Sequence, residues 1–363
     1  MKKIPIYQPT IGTEEKENVM KCLDSTWISS KGEFIEKFEN EFSRKFKLPY
    51  STTVTNGTVA LHLALLALGI KEGDEVIVPT LTYVASVNAI LYVGATPVFV
   101  DCDEDTWQLS VEDVEKKITS RTKAVLAVHL YGQPADMIRL MALANKKDIY
   151  VIEDCAEAIG SKIGDKFVGS FGHISTFSFF GNKTMTTGEG GMVCSNTKSI
   201  LDRVVRLKSQ GLATHREYWH DIVGYNYRMT NICAAIGLAQ LAKVDTFIHR
   251  KQEIAKKYRE CLANLPLSFQ GETSNSTHTY WMFSILVDEV SKRDALRAFL
   301  SQSGIETRPL FYSIHSMPIY NNYFGFFKNS DEISLRGINL PSYPDLTDEE
   351  IEFISEKIKE FLQ

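Results

Sequence analysis

The sequence predicts an α/β protein with a mostly parallel central sheet and a smaller C-terminal α+β domain. Three observations carry that prediction. From about residue 50, short apolar runs alternate with helical patterns. These runs are apolar throughout, as strands covered on both faces are. After Gly164 the rhythm breaks: runs at 175–180 and 191–195 follow one another with no helix between them, which predicts a mixed sheet there.

Leading into this region, Phe34, Phe38, Phe42 and Phe46 recur every four residues and form the apolar face of a helix. Residues 51–55 read as a strand that breaks at Asn56-Gly57-Thr58 and passes into an apolar helix at 59–68, with Gly69 available as its cap. Further strands follow at 75–79, 96–101, 123–130 and 150–154, separated by helices at 84–93, 111–118 and 137–147. A long helix at about 231–264 turns polar from Lys243 onward and is expected to bridge to the C-terminal domain. There a strand at 280–287, a helix at 292–301 and a closing helix at 348–361 are expected. The division follows: residues 1–245 form a large domain with an N-terminal segment, and 246–363 a small one.

The 363 residues are 44% hydrophobic and 23% charged, an ordinary balance for a soluble globular chain. A net charge of −5 supplies no electrostatic reason to bind nucleic acid or an anionic membrane. The basic pairs Arg250-Lys251 and Lys256-Lys257 lie in a charged helical pattern and read as a solvated face. None of the six cysteines forms a C-x-x-C pair or sits beside a histidine at zinc-ligand spacing, so they read as reduced core residues and no metal is expected. The N-terminus lacks the apolar core of a signal peptide, and no run is read as reaching membrane-spanning length. A cytoplasmic protein is expected.

In an open parallel sheet, ligands sit beyond the carboxyl ends of the strands, and three features fall there. Asn56-Gly57-Thr58 opens a helix, where a glycine lets the backbone approach an anion; a plain strand-to-helix turn capped by Thr58 reads equally well. Glu153-Asp154 ends a buried strand. Alternation along Tyr150, Ile152 and Asp154 favours Asp154 as the partner of a protonated ring nitrogen, against an acid that simply reaches water. The run Phe177-Ser178-Phe179-Phe180-Gly181-Asn182-Lys183 delivers one lysine into a glycine-rich turn, 188–191. Burial lowers a lysine pKa toward that of a nucleophilic amine, whereas a strand-end lysine otherwise snorkels to water. Jointly, an anion cradle, a pyridinium partner and an amine nucleophile point to a pyridoxal phosphate enzyme. Nicotinamide, P-loop and hydrolase-elbow motifs are absent. His129 reads as a satisfied core histidine, and His315 as either a ligand contact or a packing residue.

The residues also carry a family resemblance. The segments 79–83 (PTLTY), 129–133 (HLYGQ), 152–158 (IEDCAEA), 177–183, 187–191 (TGEGG) and 224–229 (GYNYRM) together resemble the DegT/DnrJ/EryC1/StrS sugar aminotransferases, over essentially the whole chain. The resemblance implies the aspartate-aminotransferase fold (fold type I) and pyridoxal 5′-phosphate as cofactor. It implies Lys183 as the amine that condenses with the cofactor and shuttles protons, and Asp154 at the pyridinium nitrogen. Gly57, Thr58 and Ser178 would hold the phosphate, with Tyr83 over the ring and Glu157 also in the cofactor site. Asn226 would reach the phosphate in a neighbouring subunit, so a homodimer with shared active sites is implied. A family offshoot with histidine in place of the lysine is a dehydratase; Lys183 favours amine transfer.

Narrower pointers are 24–30 (DSTWISS), Tyr218-Trp219-His220 and 306–312 (ETRPLFY) with His315. They resemble members that aminate C4 of a GDP-linked 4-keto-6-deoxymannose for surface polysaccharide, with L-glutamate as donor. Trp27, Ile28, Ser29, Tyr312 and His315 are the candidate sugar-nucleotide contacts, although loop packing explains the aromatic ones as well. A UDP- or dTDP-4-keto-6-deoxyglucose 4-aminotransferase is the alternative enzyme. The alternative of another class is a cofactor-binding regulator, though no basic helix-turn-helix is attached to the enzyme-like region.

Overall fold

The computed structural model describes residues 3–323 and 325–363. Helices α1 (Thr13–Asp24) and α2 (Glu33–Phe46) precede an alternating unit. This runs β1 (Tyr50–Val54), α3 (Gly57–Ala67), β2 (Glu75–Pro79), α4 (Val84–Tyr92), β3 (Thr96–Val100), α5 (Val111–Lys117), β4 (Thr122–Val128), α6 (Met137–Lys147) and β5 (Tyr150–Asp154). A hairpin, β6 (Lys162–Ile163) and β7 (Lys166–Phe167), leads to β8 (Ile174–Ser178), β9 (Gly191–Ser195), α7 (Lys198–Lys208) and α8 (Asn231–Leu262). The chain ends with β10 (Leu267–Phe269), β11 (Ser276–Thr277), β12 (Phe283–Val287), α9 (Val290–Gln302), β13 (Arg308–Pro309), α10 (Lys328–Arg336), β14 (Gly337–Leu340) and α11 (Asp348–Leu362).

The central sheet has seven strands in the order β1-β9-β8-β5-β4-β2-β3. Within it β9 pairs antiparallel with both neighbours, β1 and β8, and the other pairings are parallel. The break in rhythm after Gly164 is therefore the point where the antiparallel strand enters. The carboxyl ends of β1, β8, β5 and β4 open on the same side.

Both faces of the sheet are covered, which is why its strands are apolar throughout. Helices α3, α4 and α7 pack on one face around Val54, Val78, Leu126, Ile152 and Val193. On the other, α5 and α6 cover Ile77, Val125 and Val151, while α1, α2 and α8 cover Phe177, Met192 and Cys194. Helix α3 stops where the sequence places its cap. Gly69 adopts φ +77°, its N–H reaches Leu66 C=O and the Ile70 N–H reaches Leu65 C=O, both at 3.1 Å, the paired bonds of a Schellman motif.

The four phenylalanines of α2 are all buried. Phe42 meets Phe177 edge to face at 5.0 Å and Phe38 meets Phe179 at 5.3 Å. The stripe is thus the floor beneath β8. Phe42→Ala is expected to cost about 3–5 kcal/mol, read as a lowered denaturation midpoint; a loss below about 1 kcal/mol would mean the stripe is not structurally coupled to the sheet.

Helix α8 is about 48 Å long. Its first half packs beside α1 and α2, and its second half (Ile254, Tyr258, Leu262) enters the core of the C-terminal lobe. Two expectations are corrected here. This helix is long and apolar enough to cross a membrane, but its apolar residues are spent on intramolecular packing: Ala234, Ala235, Leu241 and Val244 bury against the phenylalanine stripe. Lys251 is not on a solvated face either. It is fully buried, and its Nζ donates to Ser342 C=O at 2.6 Å and to Ser342 Oγ at 3.2 Å.

The C-terminal lobe holds an antiparallel sheet in the order β10-β12-β14-β13. It also captures the N-terminal segment. Ile4 N–H donates to Gly304 C=O and Ile4 C=O accepts from Glu306 N–H, both at 2.9 Å, and the Ile4 side chain lies in that lobe's core.

Candidate active site

Strand β8 sorts its side chains by alternation. Phe177 and Phe179 are buried against α2, so Ser178 and Phe180 turn the other way, and both border a cavity of about 350 Å³ at the carboxyl ends of β1, β4, β5 and β8. The chain then turns back, with the Lys183 N–H donating to Phe180 C=O at 2.9 Å, and the lysine side chain enters the same cavity. It keeps only 13% exposure, with Nζ 3.8 Å from Glu157 Oε1 and 3.8 Å from the centre of the Trp281 ring. Burial pushes the amine below the ordinary lysine range, with Glu157 and Asp154 opposing. The lysine is therefore not one that snorkels to water.

Asp154 ends β5, nearly fully buried. Ser86 Oγ–H donates to its Oδ2 at 2.8 Å and Ala156 N–H to its Oδ1 at 3.1 Å. Burial raises its carboxyl pKa despite those bonds and despite Lys183 and His129 nearby. Glu157 is pushed up to about 7 by burial, with Lys183 opposing; its Oε2 accepts from Tyr131 N–H at 2.9 Å. Two buried acids thus face one buried amine. Each acid is short of positive charge, so a cationic ring placed among them would be stabilised.

Glu153 points to the opposite face. It accepts from Gly169, Phe171 and Gly172 N–H groups at 2.6–2.8 Å and from His129 Nε2 at 3.1 Å. His129 Nδ1 in turn accepts from Ala135 N–H at 3.0 Å, so both ring nitrogens are committed to structure.

Helix α3 begins at the cavity edge. Asn56 caps the helix through Oδ1, which accepts from Val59 N–H at 3.0 Å. The N–H groups of Gly57 and Thr58, in the first turn, remain for a ligand. Glycine is required at 57 because a Cβ there would lie 2.8 Å from Ser178 Cβ. Gly191 is similarly constrained: a Cβ would lie 2.7 Å from the Asn56 carbonyl oxygen, so this glycine allows β9 to run close beside the cradle.

Lys183, Asp154, Glu157, Gly57, Thr58, Ser178 and Tyr83 all line this cavity. Tyr83 is half exposed at its rim, 5.5 Å from Phe311. The remaining candidates do not line it. Asn226 is exposed and bridges to Ser209. Trp27 and Ile28 are exposed, on a loop tied to α8 where Asn231 donates from Nδ2 to Trp27 C=O and from its N–H to Ser29 C=O. Tyr312 lies under the Arg293 guanidinium. His315 is engaged by Thr80 Oγ1 at 2.8 Å and packs on Phe327, which favours the packing reading within one chain.

Sequence reasoning missed Ser86 and Trp281. Ser86 lies in the first turn of α4, and its role shows only through its bond to Asp154 from a distant strand. Trp281 had no local signal either; it arrives from the C-terminal lobe.

The site fits pyridoxal phosphate: a cradle closed to a Cβ at its anion end, a buried acid for the ring nitrogen and a desolvated amine. A family model described as the DegT/DnrJ/EryC1/StrS aminotransferase family matches residues 9–359. The chain belongs to that family. It is therefore an aminotransferase of the pyridoxal phosphate-dependent kind. It is 59% identical to the GDP-perosamine synthase of Escherichia coli O157:H7 over 99% of both chains, and 51% identical to that of Vibrio cholerae over 99% of both. Its fold is similar to the PLP form of a sugar aminotransferase described as putative, Spr1654 of Streptococcus pneumoniae, with TM-score 0.94 and 28% identity over 99% of this chain and 98% of that one.

Proposed function

We propose that this aminotransferase is a GDP-perosamine synthase, which moves an amino group from L-glutamate to C4 of GDP-4-keto-6-deoxymannose. The full-length identity with relatives of that name carries the reading, and the site supplies the chemistry it needs. Bound pyridoxal phosphate contributes an aldehyde that holds the amino group and a pyridinium that accepts electrons.

The chain's own residues do the rest. Gly57 and Thr58 N–H groups with Ser178 Oγ hold the phosphate at the α3 terminus. Asp154 keeps the ring nitrogen protonated, its charge sustained by Ser86 and the Ala156 N–H. Lys183 Nζ, lowered in basicity by burial, would be available as a free amine beside the cofactor and would carry the proton at sugar C4. Glu157 holds Lys183 near the reacting atoms. Tyr83, at the exposed rim, covers the ring.

The exposed candidates Trp27, Ile28, Ser29 and Tyr312 and the phosphate contact of Asn226 fit a homodimer that shares its sites, whereas His315 is packed within its own chain. Asn226 is exposed and outside its own chain's cavity, and the nearby segment exposes Tyr218 and Val223 almost fully. The scattered reduced cysteines fit a cytoplasmic location.

The test is mass detection of products from GDP-, dTDP- and UDP-linked 4-keto-6-deoxysugars with glutamate. The GDP-linked mannose derivative is expected to gain the amino group fastest. Faster turnover of a UDP- or dTDP-linked glucose derivative would overturn the substrate assignment.

A further inference from the structure

Lys183 sits on a turn that the large sheet does not hold alone. Two consecutive carbonyls of that turn are bonded from outside. Trp281 Nε1–H donates to Asn182 C=O at 2.7 Å, and the Tyr7 hydroxyl donates to Lys183 C=O. The indole face lies under Lys183 Nζ at 3.8 Å, a cation–π distance. Both donors belong to the C-terminal lobe in space. Trp281 lies two residues before β12 and is 4% exposed. Tyr7 follows the N-terminal segment stitched to that lobe through Ile4, with Ile6 C=O accepting from Ser342 N–H at 3.2 Å.

Each donor is itself braced. Tyr280, just before Trp281, has φ +50° and stacks on His278 at 3.7 Å. Thr279 N–H donates to Gly132 C=O at 3.2 Å, and a Cβ on Gly132 would lie 2.7 Å from the Tyr280 nitrogen. The Trp281 ring stacks on Tyr131 at 6.1 Å, and Tyr131 donates its own N–H to Glu157. Tyr7 lies beneath the buried Lys251 ammonium at 5.3 Å. The same aromatic wall therefore touches the amine, its carboxylate partner and the backbone that carries it.

We infer that Trp281 and Tyr7 are positioning residues: together they clamp the Asn182–Lys183 backbone from the C-terminal lobe and fix where Lys183 Nζ returns whenever it is free. The inference rests on Lys183 acting as the amine of the proposed transfer. In both half-reactions the amine must leave and re-approach within bonding distance. A displacement near 1 Å costs about 100-fold in rate, and an unpinned turn permits such displacement. The position of the C-terminal lobe is thereby read at the reacting nitrogen.

The test uses Tyr7→Phe and Trp281→Phe, which keep an aromatic ring and remove one hydrogen bond each, with Trp281→Leu removing the ring face as well. In the cofactor-free protein, hydrogen exchange of the 180–184 backbone is expected to accelerate in each variant while peptides from β5 and α3 exchange as in wild type. In the loaded enzyme, kcat is expected to fall about 10- to 100-fold with KM for both substrates near wild type, most in Trp281→Leu and partly recovered by Trp281→Phe. Unchanged exchange at 180–184 and unchanged kcat in all three variants would overturn the clamp. Acceleration spread over the whole lobe, with KM and kcat lost together, would also overturn it, as the mark of a packing role. The exchange experiment needs no substrate, so it stands apart from the choice of sugar nucleotide.

Discussion

Lys183→Ala abolishes amino transfer, with a loss of at least about 10⁴-fold expected because nucleophile and proton carrier go together. The expectation rests on the isolation of this amine. It is the lysine of the cavity lining, and the groups facing its Nζ are the Glu157 carboxylate and the Trp281 ring. Neither can form the covalent bond. The Gly57 and Thr58 N–H groups proposed to hold the phosphate are untouched by the change, so the variant is expected to retain pyridoxal phosphate without the absorbance expected of a covalent Lys183 link. Single-turnover mixing with glutamate, followed by the cofactor spectrum, checks this. Full turnover of glutamate and a keto-sugar by the variant would remove Lys183 from the mechanism.

Asp154→Asn is the second large effect. If Asp154 pairs with the ring nitrogen as proposed, the variant removes the negative charge that would keep the ring in its electron-accepting form; removal of one preorganised electrostatic partner costs on the order of 10²–10³ in kcat. The same change is expected to stabilise the cofactor-free protein. Burial raises the Asp154 carboxyl, so the folded chain holds a proton that the unfolded chain releases above about pH 4. Stability therefore falls as pH rises through that window, and a neutral side chain removes the penalty. Thermal midpoints of the cofactor-free variant at pH 5 and 7.5 should be closer together than those of wild type. A wild-type pH dependence with near wild-type kcat would place the ring nitrogen elsewhere.

The opposing directions of these two effects have one origin. Glu157, pushed up to about 7, and Asp154 are costly buried acids in the cofactor-free protein, and a protonated ring bound between them would offset that cost. Local destabilisation is spent on a site that a ligand completes.

Much of this was legible in the chain itself. Apolar runs without alternation predicted the covered sheet, and the boundaries at Glu75–Pro79, Met137–Lys147, Tyr150–Asp154 and Gly191–Ser195 coincide with those read from sequence. Alternation along β5 separated Asp154 from Glu153, and the helix start at Asn56-Gly57-Thr58 falls on the same cavity. Two-residue strands such as β6, β7 and β13 were not legible, because so short a run has no periodicity. Lys251 was misread because its neighbours Arg250, Lys256 and Lys257 imply a solvated face, while burial at one helical position depends on what packs there.

Sequence alone thus determined the layers and the strand ends, and it singled out Lys183, Asp154 and Asn56-Gly57-Thr58, which the structure brings to one cavity, because each follows from local periodicity or from the residue type that a given chemistry demands. The tertiary structure alone decided that Lys183 is desolvated, that Glu157 stands 3.8 Å from its nitrogen, and that Trp281 and Tyr7 reach the turn from a different lobe. Burial and contacts across 99 and 176 residues of chain are set by how whole elements pack, and no local pattern encodes them.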